Sequence, residues 1–264
     1  MVTEHAQQYW KYEYAVMARY LVPLLGKWGV TLHGASVLDI GCGEGGGLCA
    51  VRDAEARCNG FDIDEQRVAF AQSIDQTRSI RFRTGDIHDA APPFQGEKYD
   101  LVMLHDVFEH LEDKEFVLRR LATYLTPSGK IFITFPPYYS AFGAHQQNLR
   151  TWWARLPFVH LFPAVMSRGF PALTKEHDLF LSEARKLGRL KMGMRAFEEI
   201  ARHCDMTILR KKAYLISPNH IRFGLRPLAA GPLAAIPLIG EVACTAVAYL
   251  LTPSPSAKTP DRNS

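Results

Sequence analysis

The sequence contains no C-x-x-C pair, and its five cysteines (Cys42, Cys49, Cys58, Cys204 and Cys244) are an odd number at irregular spacing. That excludes a disulfide framework as the basis of the fold and gives no zinc knuckle. No basic stretch followed by an apolar one stands in Met1 to Gln7, so a secretory leader is not read there and the cytoplasm is the expected compartment. An excess of one charge sign is also missing: the formal net charge is +4, which does not by itself imply nucleic acid. Nor is there a clean membrane span. The apolar stretch from Leu228 to Leu251 is broken by Gly231, Pro232, Pro237, Gly240 and Glu241, whereas a spanning helix needs about twenty consecutive apolar residues. With 47% hydrophobic and 22% charged residues in 264, the chain reads as one globular domain over 1–264.

What is present is organised around Val37-Leu38-Asp39-Ile40-Gly41-Cys42-Gly43-Glu44-Gly45-Gly46-Gly47. A short apolar run, read as a buried strand, breaks into a glycine-rich turn, and Ala50, Val51 and Ala54 suggest a helix beyond. Glycines at such a turn let the backbone approach a ligand closely, and the helix N-terminus offers unpaired N–H groups to an anion. Gly41, Gly43 and Gly46 satisfy the G-x-G-x-x-G spacing of a dinucleotide fingerprint, with Asp62 about twenty residues on. Asp39 separates that reading from a second one. A carboxylate just before the first glycine would repel a pyrophosphate and attract a ligand carrying an amine and a sulfonium, such as S-adenosylmethionine (SAM).

Downstream, strands and helices alternate. Arg57 to Ile63, Ile80 to Thr84, Tyr99 to Leu104 and Lys130 to Phe135 read as further strands. Helices are expected at Glu65 to Ser73 and Lys114 to Tyr124, the latter closed by Thr126-Pro127-Ser128-Gly129. This rhythm implies a parallel sheet with crossover helices, whose ligand lies beyond the carboxyl ends of the strands. Asp39, Asp62, Asp86 and His105 all fall at such ends. Upstream, Trp10, Tyr14, Met17 and Leu21 recur at helical spacing from about Tyr9 to Leu25. Residues 1–34 thus form a helical cap that packs on the domain or closes over a ligand. After Phe135 the rhythm stops, and 136–194 is rich in aromatics, prolines and basic residues. An insertion beside a strand end is read as a lid or substrate-binding segment. A helix near Arg195 to Cys204, a strand from Thr207 to Ile216 and a final strand from Thr245 to Thr252 follow. The Pro-rich stretch between those strands is expected to be a packed loop, and 253–264 a disordered tail.

The motifs in order resemble those of class I SAM-dependent methyltransferases. The D-x-G-x-G-x-G run from Asp39 resembles their first motif, Gly60-Phe61-Asp62-Ile63-Asp64 their second, and Gly85-Asp86-Ile87 their third. Tyr99 through Leu111 resembles the fourth-strand motif, and Leu125 to Lys130 the turn before strand five. The resemblance covers about residues 35 to 137 and implies a doubly wound, seven-stranded, mostly parallel Rossmann-like sheet with an aromatic lid after strand five. It implies SAM as cofactor, with Asp62 accepting from the ribose hydroxyls and Asp86 beside the adenine amino group. Asp39, Gly41, Cys42, Gly43, Ile63, Ile87 and His105 complete the cofactor set. The reaction implied is methyl transfer to a small organic acceptor, first of all at a hydroxyl. Carbon or nitrogen acceptors, a SAM-binding protein without transferase activity and an NAD dehydrogenase stand as alternatives.

A hydroxyl acceptor needs a base, and a histidine titrates in the right range. His105 is the first candidate because it ends strand four, with His110 and His145 as further catalytic candidates. A second constellation is Asp106-x-x-Glu109-His110, in which residues three and four apart would share a helical face. With His145 these would form an oxygen–nitrogen set for a divalent metal. The run is similar to the E-x-x-E-H metal motif of ubiquinone-pathway O-methyltransferases, with Asp in place of the first Glu. Basic residues between Arg185 and Arg226 are too sparse for a nucleic-acid footprint. An anionic small-molecule or lipid partner fits them better, including membrane-surface contact through the apolar loop with Arg222 or Arg226.

Overall fold

In the computed structural model, which describes residues 4–141, 143, 157, 158, 161, 188 and 190–254, the expected alternation appears as a twisted open sheet. Its strands are β1 (Ser36–Ile40), β2 (Arg57–Asp62), β3 (Arg81–Thr84), β4 (Tyr99–His105), β5 (Leu125–Phe135), β6 (Met206–Ile216), β7 (Leu228–Ala229) and β8 (Ala246–Pro253). The order across the sheet is β3-β2-β1-β4-β5-β8-β6-β7. Neighbours from β3 to β5 run parallel, and β8, β6 and β7 join antiparallel. The strand order reverses between β1 and β4, the switch point at which such sheets bind ligands.

Side-chain alternation divides the core in two, because successive strand residues point to opposite faces. Val102 and Leu104 of β4, Ile131 and Ile133 of β5, and Val247 and Tyr249 of β8 enter one cluster. Leu101, Met103, Phe132, Ala248 and Leu250 enter the other. The first cluster is covered by α5 (Lys114–Thr123) and α6 (Met194–His203), through Val117, Leu121, Phe197 and Ala201. The second is covered by α1 (Glu4–Val16), α2 (Val22–Lys27), α3 (Gly46–Asp53) and α4 (Glu65–Ile74). Burial on both faces is why the central strands read as continuous apolar runs.

Four expectations are corrected. The N-terminal helix extends past Gly26 to Lys27 and contains a wide π-turn at Met17–Leu21. Pro23 lacks an N–H and its ring crowds the carbonyl of Arg19, which the wider turn accommodates. The sheet has eight strands, the additional one being the two-residue edge strand β7. Thr126 to Gly129 interrupts β5 from within: Tyr99 pairs with Leu125 and Leu101 with Lys130, so the intervening residues bulge out. The Pro-rich loop between β7 and β8 is packed only in part, through Ala230, Ala234 and Cys244. Leu238 is 74% exposed, with Leu233, Ile236, Ile239 and Val242 also exposed. Pro232 and Pro237 leave only a 3-10 turn (Gly231–Ala235) and the short α7 (Ile239–Ala243), too little helix to turn a whole apolar stripe inward.

Of the tail expected from Pro253, that residue belongs to β8 and Ser254 N–H donates to the Asp205 carbonyl at 2.8 Å. Residues 255–264 lie outside the described set, as does most of the expected lid, including His145. Among the described residues no helix is long and apolar enough to cross a membrane.

Candidate functional site

A cavity of about 880 Å³ opens at the carboxyl ends of β1, β2 and β4, against α1 and the 3-10 turn Pro218–Phe223. That is near the upper end of the roughly 300–1,000 Å³ range of small-molecule sites. β1 ends at Ile40 and the chain turns at Gly41, which has φ of 76°. A Cβ there would lie 2.5 Å from Val107 Cγ2, so glycine is what lets the turn pass the exit of β4. The turn enters α3 at Gly46, directly beneath the Trp10 carbonyl and Glu13 Cβ of α1. The N-terminal helix packs on the domain and also borders the cavity. Val16, Met17 and Leu21 pack inward, while Tyr9, Tyr12 and Glu13 form a wall of the cavity.

One end of the site is acidic. Asp39 is buried with its Oδ1 unpartnered, and Glu13 Oε2 is likewise buried without a partner. Burial, with Asp62 adding to it, pushes the Asp39 carboxyl up to about 8. Burial also holds Glu13 well above the usual carboxylate range; Arg67 opposes this, and Glu44, Asp39 and Asp62 reinforce it. Arg67 is already committed, 2.6 Å from Glu44, and lies over the Tyr9 ring at 5.6 Å. Buried carboxylates without partners are costly unless a cation meets them. The arrangement fits a ligand bearing positive charge.

Along the wall, Asp62 Oδ2 accepts from Gly43 N–H at 2.8 Å and Oδ1 from Asp64 N–H at 2.9 Å. Each oxygen keeps a second lone pair for a diol. Asp64 caps α4 by accepting from Gln66 and Arg67 N–H, which fixes the start of the helix that carries Arg67. Asp86 Oδ1 accepts from the His88 backbone N–H and lies 2.9 Å from its Nδ1. Burial raises the Asp86 carboxyl, but the His88 backbone and ring outweigh it and hold the group below its ordinary range. Of the cofactor residues expected from the sequence, Gly41, Asp62, Ile63, Asp86, Ile87 and His105 line the cavity. Asp39, Cys42 and Gly43 stand outside the lining: Asp39 and Cys42 are buried, and Gly43 acts through its N–H on Asp62.

The opposite end is built by the exit of β4. His105 Nδ1 lies 2.6 Å from Thr134 Oγ1, and Thr134 Oγ1 lies 3.0 Å from Asp106 Oδ1. A hydroxyl has one proton, and the carboxylate can only accept. Thr134 therefore donates to Asp106 and accepts from His105 Nδ1–H, which leaves His105 Nε2 with its lone pair. Asn219 Nδ2 donates to the other oxygen, Asp106 Oδ2. Asp106 adopts a left-handed φ of 54°, a conformation uncommon outside glycine and found at functional sites.

That backbone corrects the helix face expected for Asp106, Glu109 and His110. Asp106 precedes the 3-10 turn Phe108–His110 rather than lying in a helix with it, and its side chain is held by Thr134 and Asn219. Glu109 is buried, with Oε1 3.6 Å from His110 Nε2. Among the described residues no three His, Cys, Asp or Glu side chains form a metal-binding group. His110 lines the cavity beside His105; the third catalytic candidate, His145, lies outside the described residues.

Sequence reasoning missed Glu13, Arg67, Thr134 and Asn219. Glu13 had a legible signal: it shares a helix face with Tyr9, Val16 and Met17, where a charge has no business unless it meets a partner.

The methyltransferase domain family matches residues 38–133 of this chain. Over 125 residues the chain is 32% identical to the ubiquinone biosynthesis O-methyltransferase of Idiomarina loihiensis, covering 46% of each protein. It is 31% identical to phosphoethanolamine N-methyltransferase 3 of Arabidopsis thaliana over 38% of this chain and 21% of that one. The chain thus spans less than half the length of the curated relatives it matches. Among solved structures, the plantazolicin methyltransferase BpumL in complex with SAH superposes over 94% of this chain and 89% of its own, with a TM-score of 0.55 and 16% identity. That likeness shows the fold.

Proposed function

We propose that this chain, whose residues 38–133 match the methyltransferase domain family, is a class I SAM-dependent enzyme that transfers the methyl group of SAM to a hydroxyl oxygen of a small organic acceptor. Bound in the cavity, SAM supplies an electrophilic methyl on a sulfonium. The protein's own part is to hold the two partners in line and exclude water. Asp62 would take the ribose hydroxyls and Asp86 the adenine amino group. Glu13, on the cavity wall with Oε2 unpartnered, would meet the ammonium, and Asp39 behind the lining would ionise as the cation binds; this acidic end fits a cationic ligand far better than a pyrophosphate.

The observation that carries oxygen as the acceptor is the His105–Thr134–Asp106 chain. It fixes the tautomer that leaves Nε2 ready to take a proton, on a residue that lines the cavity. A neutral amine acceptor, which already carries a free lone pair, would not require that relay before the methyl moves. The ubiquinone O-methyltransferase relative also supports an oxygen acceptor. The test is incubation with SAM and a panel of phenols, amines and activated carbon acids, with SAH formation followed by mass spectrometry. Methylated phenols are expected; SAM binding with no SAH formed from any acceptor would leave a binding protein instead.

We further propose a peripheral contact with an anionic bilayer through the exposed apolar side chains of Leu228, Leu233, Ile236, Leu238 and Ile239, beside Arg226. Apolar side chains flanked by a basic residue suit the headgroup boundary. Co-sedimentation with phosphatidylglycerol vesicles, reduced by L238D/I239D, checks it.

A further inference from the structure

The charges on the cavity wall are unequally matched. Arg67, at the acidic end, is held by Glu44 at 2.6 Å. Arg222, at the acceptor end, has no carboxylate partner among the described residues, although it lines the same cavity. Asp106, whose charge opposes that of Arg222 at the Tyr12 hydroxyl, is already held by Thr134 and Asn219.

Arg222 is also placed. Its guanidinium carbon lies over the Tyr12 ring at 5.4 Å and over the Phe223 ring at 4.8 Å. The turn that carries it is fixed at both ends. Ser217 Oγ accepts from Asn219 N–H at 3.1 Å, and Gly224 closes the turn in a left-handed conformation with φ of 74°. Tyr12 Oη donates to the Asn219 carbonyl at 3.1 Å, which ties the turn to α1. Two rings and two caps hold a planar fork of N–H donors at the cavity mouth, and rings do not use up those donors.

We infer that Arg222 is a specificity residue that receives an oxyanion of the acceptor, a carboxylate or phosphate carried on the same molecule as the methylated hydroxyl. The inference rests on the methyl-transfer reading and names its substrate class. An oxyanion bound bidentately by Arg222 places the remainder of the acceptor along the Tyr12 side, toward His105. A neutral acceptor would leave the N–H fork of Arg222 without a bidentate partner.

The test is calorimetry on the full chain saturated with SAH, with three probes: 4-hydroxybenzoate, phenyl phosphate and the neutral 4-hydroxybenzamide. Wild type is expected to bind one or both anions about tenfold or more tightly than the amide, and the stronger of the two anions identifies carboxylate or phosphate. R222Q is expected to remove that preference. R222K, which keeps the charge but loses the fork, retains part of it. Unchanged SAH affinity in R222Q reports an intact fold. Equal binding of anion and amide by wild type, no binding of any probe to the SAH complex, or an undiminished preference in R222Q would each overturn the inference. Failure of the wild-type protein to bind SAH would overturn the methyl-transfer reading instead.

Discussion

The Nδ1 of His105 and the hydroxyl of Thr134 lie 2.6 Å apart, and this contact decides which nitrogen of the imidazole can act. The same hydroxyl donates to Asp106, so the ring is read as a proton acceptor at Nε2. His105→Ala is expected to lower turnover by about a hundredfold or more while changing SAM affinity by a small factor. Thr134→Val, which releases the tautomer without removing the ring, should give an intermediate loss. Kinetics against calorimetry checks both; equal losses in turnover and SAM affinity would show that His105 only packs against the donor.

The raised carboxyl of Asp39 makes the free protein pH-sensitive. Its folded value of about 8 lies above the value of about 3.9 expected in an unfolded chain. The folded state therefore holds the extra proton between these values, and stability falls as pH rises from about 4 to about 8. Asp39→Asn should remove that decline and stabilise the ligand-free protein by a few kcal/mol at pH 8, on the order of the linked shift. The same variant should bind SAM more weakly, because the ammonium loses a counter-charge. Denaturant titrations at several pH values, paired with calorimetry, would reveal either half failing.

Gly41→Ala tests the turn. It combines a left-handed φ of 76° with a Cβ 2.5 Å from Val107 Cγ2. A loss of about 1–3 kcal/mol in chemical denaturation is expected from the backbone alone, with SAM affinity falling further because Val107 lines the cavity.

Metal independence is expected because Asp106 turns to Thr134 and Asn219 while Glu109 is buried beside His110, so the three side chains do not form one ligand group. Treatment with EDTA should therefore leave methyl transfer unchanged, and elemental analysis should find no stoichiometric divalent ion. Loss of activity on chelation, restored by a divalent cation, would contradict this.

The frame of the site was legible because it is written locally. Asp39, Gly41, Asp62, Asp86 and His105 each sit at or just beyond the carboxyl end of a strand, and a parallel sheet gathers such ends on one edge. The shared helix face of Asp106, Glu109 and His110 was misread for an equally local reason. The spacing of Asp106, Glu109 and His110 suggests a helix face, but the left-handed backbone at Asp106 depends on the Thr134 and Asn219 contacts. Thr134 and Asn219 were not legible, since each acts only through a partner 28 or 113 residues away. The exposed Leu238 was misjudged because apolar composition was taken as burial, whereas the two prolines decide how much helix exists to bury it.

The hydrogen bond from Tyr12 to Asn219 spans 207 positions of the chain. The wall of the cavity is therefore drawn from both extremities of the fold, while the glycine turn and the strands behind it come from the middle. In chain order Tyr12 and Glu13 precede their counterpart on the 218–223 turn by some two hundred residues, and β7 and β8 follow that turn. A product stopped before residue 218 would therefore lack one wall of the cavity together with two strands of the sheet.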